Sequence, residues 1–164
     1  MENNIEIVGF RADVHNVPEV LNLISDICPQ GTIQILRTDG LAGKRHLMHA
    51  TMQAILSFKR KTNFAQDLGL EICLRASAQR QISRALNILG IKEGKQDLCA
   101  VMVDCPQGSV FKLEKILGKR NNSVLQYIPE NLKKIYKISD VEIDACNGVQ
   151  NVLIEKTTLL NLEN

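Results

Sequence analysis

The sequence has no tryptophan, and aromatic residues make up only 4% of its 164 positions. If bases of a nucleic acid are to be stacked, the task falls to Phe64 or to arginine planes. No apolar run approaches the length that a bilayer crossing requires, so no membrane partner is expected. No basic leader followed by an apolar segment opens the chain, which sets a cytoplasmic location as the expectation. The five cysteines, Cys28, Cys73, Cys99, Cys105 and Cys146, form no C-x-x-C pair and are odd in number. They read as reduced thiols, packed as small hydrophobes.

Catalytic signals are equally sparse. Of three histidines, His46 and His49 share a helix face, but His15 is the only other one and no carboxylate follows at a ligand spacing. No metal and no cofactor are expected. Cys73 and Cys105 lack a base to form a thiolate. Asp104 before Cys105-Pro106 is accounted for as a turn former. The glycines of Asp39-Gly40-Leu41-Ala42-Gly43-Lys44 lack the spacing of a nucleotide-binding loop. The chain is therefore read as a non-enzyme.

What is present is a good core and an uneven charge. With 45% hydrophobic residues, residues 1–164 suit one domain. The net charge is only +2, yet residues 41–90 hold eight basic side chains (Lys44, Arg45, Lys59, Arg60, Lys61, Arg75, Arg80, Arg84) against Asp67 and Glu71. That segment is +6, which leaves −4 on the other 114 residues. A one-sided positive field is the footprint of a protein that meets a polyanion at one place.

Along the chain, residues 5–10 and 32–37 read as strands, and Leu98–Val103, apolar on both parities, as a doubly covered central strand. Helical spacing marks residues 17–27, 46–59, 110–117 and 149–160, with shorter helical pieces around Leu132 and Ile135. Leu70, Ile72, Leu74 and Ala76 share one parity while Glu71, Cys73 and Arg75 take the other, which predicts a further strand over 70–76. Ser77 then stands as the N-cap of a helix whose apolar positions are Ile82, Ala85, Leu86 and Leu89, closed by a left-handed Gly90. The expected fold is α/β (α+β), one small central mixed or antiparallel sheet of about four strands flanked by helices.

The stretch from Lys59 to Ile91 organises the functional reading. Lys59, Arg60 and Lys61 end a helix, Thr62 and Asn63 add hydrogen-bonding groups, Arg75 leaves the oily face of the strand, and Arg80 and Arg84 lie one turn apart. Such a set either serves as a solvated face and helix-end counter-charge or binds phosphate through arginine forks. At the other end of the chain, Val149, Val152, Leu153 and Leu160 can form one buried stripe, and Ile154, Leu159 and Leu162 fall largely outside it. Apolar excess of this kind either marks a contact surface or is covered by a second layer of the same body.

The pieces Thr62-Asn63-Phe64-Ala65, Leu70-Glu71-Ile72-Cys73-Leu74-Arg75-Ala76 and Gln79-Arg80-Gln81-Ile82, with Ala85 and Gly90-Ile91, carry a resemblance. They resemble the kinase-associated small subunit of the KEOPS complex, the Cgi and PRPK-binding protein family, in its archaeal branch. The resemblance implies a non-catalytic subunit that binds the amino lobe of a small atypical kinase, contacts other KEOPS subunits indirectly, and recruits tRNA by its single-stranded CCA end. On that basis the tRNA-binding set is Lys59, Arg60, Lys61, Thr62, Asn63, Phe64, Arg75, Ser77, Gln79, Arg80 and Arg84. The kinase-binding set is Leu153, Ile154, Leu159, Leu160 and Leu162. The competing classes are a pure adaptor whose basic face meets an acidic protein and a small-molecule enzyme.

Overall fold

Three strands alternate well enough to seat two apolar layers at once. A computed structural model describes residues 2–162 and places β1 (Ile5–Val14), β2 (Thr32–Arg37) and β3 (Gly94–Val103) in the order β1-β3-β2, antiparallel throughout. Phe10 pairs with Leu98 and Val8 with Ala100, so Val8, Phe10, Ala12, Leu98, Ala100 and Met102 share a face. Ile7, Cys99, Val101 and Val103 share the other. As its double apolar parity predicts, β3 is central, and residues 98–103 are buried throughout.

Helices cover both faces. Helices α1 (Val17–Ser25) and α5 (Ser109–Leu117) pack on the Phe10 side, α1 capped by Asn16, whose side chain accepts the Glu19 N–H. On the Val101 side lie α2 (Gly43–Arg60), α3 (Leu68–Ser77) and α4 (Ile82–Leu89). The outer edge of β1 is closed by the turn at 121–125: Asn121 N–H donates to the Gly9 carbonyl, and a Cβ at Gly9 would strike that turn. A third layer, α6 (Pro129–Tyr136), α7 (Asp140–Cys146) and α8 (Val149–Leu159), has its own cluster of Leu132, Val149, Val152 and Leu153. The Tyr136 hydroxyl ties it down by donating to the Gly40 carbonyl at 2.6 Å.

The expected strand over 70–76 is the helix α3. Asp67 caps it, accepting the Leu70 N–H at 2.9 Å. Its residues from Glu71 to Ser77 are all buried, so no polar face interrupts the apolar run and the helical period is lost. Gly69 lets the helix close on β2, since a Cβ there would collide with the Gln34 side chain. Ser77 is not an N-cap. It ends α3, fully buried, and its hydroxyl donates to the Leu74 carbonyl. Gly90 closes α4 with extended rather than left-handed backbone (φ −68°). Among the described residues the α/β fold is as expected, with three strands in the sheet where the sequence predicts about four.

Among the described residues no helix is long and apolar enough to cross a membrane. All five cysteines are free thiols, with Cys28, Cys73 and Cys99 in the core.

Candidate nucleic-acid interface

Helices α2 and α3 end the same way, and these two ends build the site. Lys61 follows α2 in the left-handed conformation (φ 58°), and its N–H and that of Thr62 return to the carbonyls of Phe58 and Ser57. Ala78 follows α3 likewise (φ 54°), with its N–H and that of Gln79 returning to Arg75 and Leu74. Both are Schellman endings made without glycine. They reverse the chain sharply. One projects Lys61 to Phe64, the other Gln79 and Arg80.

The loop after Lys61 is pinned from below by Glu71. This wholly buried carboxylate accepts the backbone N–H groups of Phe64 and Ala65. Asn63 contributes by donating from Nδ2 to the Ala65 carbonyl at 2.7 Å. One helical turn on, Arg75 lies beside Glu71, Nε to Oε2 3.7 Å, with both side chains inaccessible to solvent. The Phe64 ring, 41% exposed, sits on two guanidinium groups: Arg75 at 4.8 Å and Arg80 at 5.1 Å from its centroid.

The C-terminal segment closes the far side. The turn Leu160–Leu162 follows α8 directly. Arg75 Nη1 donates to Asn161 Oδ1 at 2.6 Å, and Arg80 Nη2 donates to the Leu160 carbonyl at 2.8 Å. Thr157 completes the tie by donating to the Arg75 carbonyl at 2.8 Å. Burial pulls the Arg75 pKa below its ordinary value, against the opposing field of Glu71.

The predicted set therefore divides. Lys59, Arg60, Lys61, Thr62 and Phe64 are exposed around one turn, and Asn63, Gln79 and Arg80 are half-buried beside it. Arg84 is exposed on α4. Two expectations are corrected: Arg75 and Ser77 are wholly buried, because their segment is a core helix rather than an open strand. Arg75 supports the Phe64 ring from beneath. Sequence reasoning missed Glu71, Thr157 and Asn161. The i,i+4 spacing of Glu71 and Arg75 was the available signal for the first, and the other two act through tertiary contact alone.

With this geometry in view, the comparisons become specific. Residues 11–160 match the family model described as "Kinase binding protein CGI-121". The "Regulatory protein Cgi121" of Methanocaldococcus jannaschii is 36% identical over 135 residues, covering 79% of this chain and 83% of that relative. The chain belongs to the CGI-121 family. The match begins within β1 and ends one residue past α8, so the pinned loop and the C-terminal helix both lie inside the family region.

In this CGI-121 chain the C-terminal set also divides. Val149, Val152, Leu153 and Leu160 form the buried stripe, as the spacing predicts. Leu153 (0% exposed) and Leu160 (1%) are thus corrected from contact residues to core, packed within their own domain. Ile154 is half-buried, while Leu159 (40%) and Leu162 (74%) remain open.

His46 and His49 are packing groups. His46 is fully buried, its Nδ1 accepting the Ala42 N–H at 2.9 Å, and burial lowers its pKa to about 4. Its Nε2 faces the Ala76 backbone without reaching hydrogen-bond geometry. His49 bonds Thr158 Oγ1 at 2.8 Å, and burial followed by the Arg45 charge lowers its pKa. Burial pushes the Cys73 and Cys99 thiols up to about 12, the direction opposite to that of a nucleophile. Among the described residues no three His, Cys, Asp or Glu side chains gather as a metal site.

Proposed function

We propose that this protein is a non-catalytic subunit that binds an atypical protein kinase through its amino lobe and recruits tRNA by its single-stranded 3′ CCA end, inside the cytoplasmic KEOPS assembly that makes threonylcarbamoyl-adenosine. One observation carries the tRNA reading: the half-exposed Phe64 ring lies on two arginines at the mouth of the Lys59-Arg60-Lys61 turn. A single-stranded end needs cations for phosphates, polar groups for base edges and a π-surface for stacking. Lys59, Arg60 and Lys61 are the cations, Thr62 and Gln79 the polar groups, and Phe64 the surface. The kinase reading is supported by the family's description and by Leu159 and Leu162, which stand open at the end of α8. Apolar residues at a helix end suit a groove or sheet face on a folded partner.

The test compares intact tRNA with the same tRNA trimmed of CCA, for wild type and Phe64→Ala. Trimming is expected to weaken wild-type binding by ~10-fold or more, and Phe64→Ala to remove most of that difference, since one stacked base contributes about 1–3 kcal/mol. Equal affinity of the wild type for intact and trimmed tRNA refutes the CCA reading. An acidic protein that competes for the basic turn while tRNA does not bind would favour the adaptor reading instead.

A further inference from the structure

Arg75 is the largest wholly buried side chain among the described residues. Its burial is incomplete in chemical terms. Nη1 has Asn161, but Nε and Nη2, together with Arg80 Nε, are buried without a hydrogen-bond partner among the described residues. Glu71 stands 3.7 Å from Arg75 Nε, beyond hydrogen-bonding reach, and its oxygens already hold the amides of Phe64 and Ala65. Three donors on two adjacent cations are thus left unfilled, and buried polar groups in this condition are rare. The two donors that are filled, Arg75 Nη1 and Arg80 Nη2, meet uncharged oxygens of one short segment, Asn161 Oδ1 and the Leu160 carbonyl.

We propose that Arg75 and Arg80 form a phosphate site for the bound nucleic acid, and that the turn Leu160–Leu162 is a latch that occupies it until displaced. The inference rests on the tRNA reading above and deepens it. A phosphodiester presents two anionic oxygens where the latch presents two neutral ones, and charge-assisted bonds to guanidinium are the stronger kind. It would also reach donors the latch leaves empty. Glu71 faces the inner side of Arg75, so the anion approaches by the Nη atoms and Arg80, from the side the latch now covers.

The same turn carries Leu162, the most exposed of the C-terminal apolar residues, with Leu159 just before it. A protein that seats on these two side chains governs whether Asn161 stays on Arg75. Docking of the protein partner and access of RNA to the arginines are thereby linked, and linkage of this kind is reciprocal.

The test measures tRNA affinity for wild type, Asn161→Ala and Asn161→Asp. Asn161 is exposed, but its Oδ1 holds a donor of the buried Arg75, so Asn161→Ala should stay folded with a slightly lower melting midpoint, while Asn161→Asp, which keeps an acceptor there, should not lose stability. Asn161→Ala opens the latch and should bind tRNA about tenfold tighter, a change of about 1.4 kcal/mol. Asn161→Asp places a carboxylate on Arg75 and should bind about tenfold more weakly. Leu162→Asp adds the same charge one residue on, at a 74% exposed position, and should weaken binding less than Asn161→Asp. A readout without RNA accompanies these: hydrogen exchange of the Arg75 guanidinium, followed by NMR, should accelerate in Asn161→Ala. If wild type binds tRNA and Asn161→Ala neither tightens it nor speeds exchange, the latch is wrong and the tRNA reading stands. If neither wild type nor Asn161→Ala binds tRNA, the tRNA reading fails and the latch fails with it.

Discussion

Replacing Glu71 by glutamine is the sharpest test of how the loop is held. The change is nearly isosteric and removes one charge from a pair whose side chains are both inaccessible to water. Arg75 would then be buried with no opposing charge beside it among the described residues, and with Arg80 close enough to depress its pKa already. Breaking a buried pair from one side costs about 3–5 kcal/mol. A domain of this size is stable by roughly 5–15 kcal/mol, so the loss is a large part of the whole. At about 2–4 °C per kcal/mol, the melting midpoint should fall by ~10 °C. Urea denaturation of Glu71→Gln, Arg75→Met and the double variant supplies the cycle. The double variant should be more stable than the sum of the singles predicts by about 2 kcal/mol or more, because a neutral pair leaves no orphan charge. A loss below about 1 kcal/mol in Glu71→Gln, or strict additivity, would show that the pair does not hold the loop.

Lys59→Glu with Arg60→Glu should lower tRNA affinity at least ~10-fold at low salt and flatten the salt slope by about 2, with an unchanged melting curve because both side chains are exposed. Unchanged affinity moves the site elsewhere. Leu159→Asp with Leu162→Asp should abolish kinase binding in a pull-down with the purified kinase while costing the free chain less than about 1 kcal/mol; wild-type binding would relocate that interface. His46 predicts a pH dependence. Its folded pKa of about 4 lies below the ordinary 6.5, so the unfolded chain takes up a proton that the folded chain refuses. Its contribution is full above pH 6.5 and falls away as pH drops toward 4, by roughly 3 kcal/mol. Urea midpoints in that window should slope in wild type and flatten in His46→Gln; equal slopes would assign the dependence to carboxylates.

Much of the fold is legible in the sequence because its signals are local. β2 spans Thr32–Arg37 with the bounds expected of it, and β3 takes the central position that a doubly apolar strand requires. The α8 stripe is buried as spaced. Where reading fails, local and tertiary signals disagree. Helix α3 is packed between α2, α4 and β2, so every face of it is covered. Amphipathic period exists only when one face meets water. Without it, the alternation of Leu70, Ile72, Leu74 and Ala76 imitates a half-buried strand, and Ser77 imitates a cap. The Glu71–Arg75 spacing argued for the helix, but two charged residues read as surface unless their burial is known. At Ile82 and Leu86 the error runs the other way, since both are part of an apolar spacing and both are exposed.

The location of the candidate site does not depend on that error, for a physical reason. Counting charge over residues 41–90 does not depend on whether 70–76 is strand or helix, so the location followed from composition. The roles did not. A strand would have carried Arg75 outward as one more open cation, whereas the helix carries it beneath Phe64, where its charge acts on the ring and is covered by the C-terminal turn. That difference changes how a nucleotide would be met. A flexible basic loop loses conformational freedom when it binds, at a cost of about 0.5–1.5 kcal/mol for each immobilised side chain. Here the backbone of Phe64 and Ala65 is already fixed on Glu71, and the ring is already oriented on two guanidinium groups. The ordering is therefore built in folding rather than in binding, and a base that stacks on Phe64 keeps more of its stacking energy as affinity.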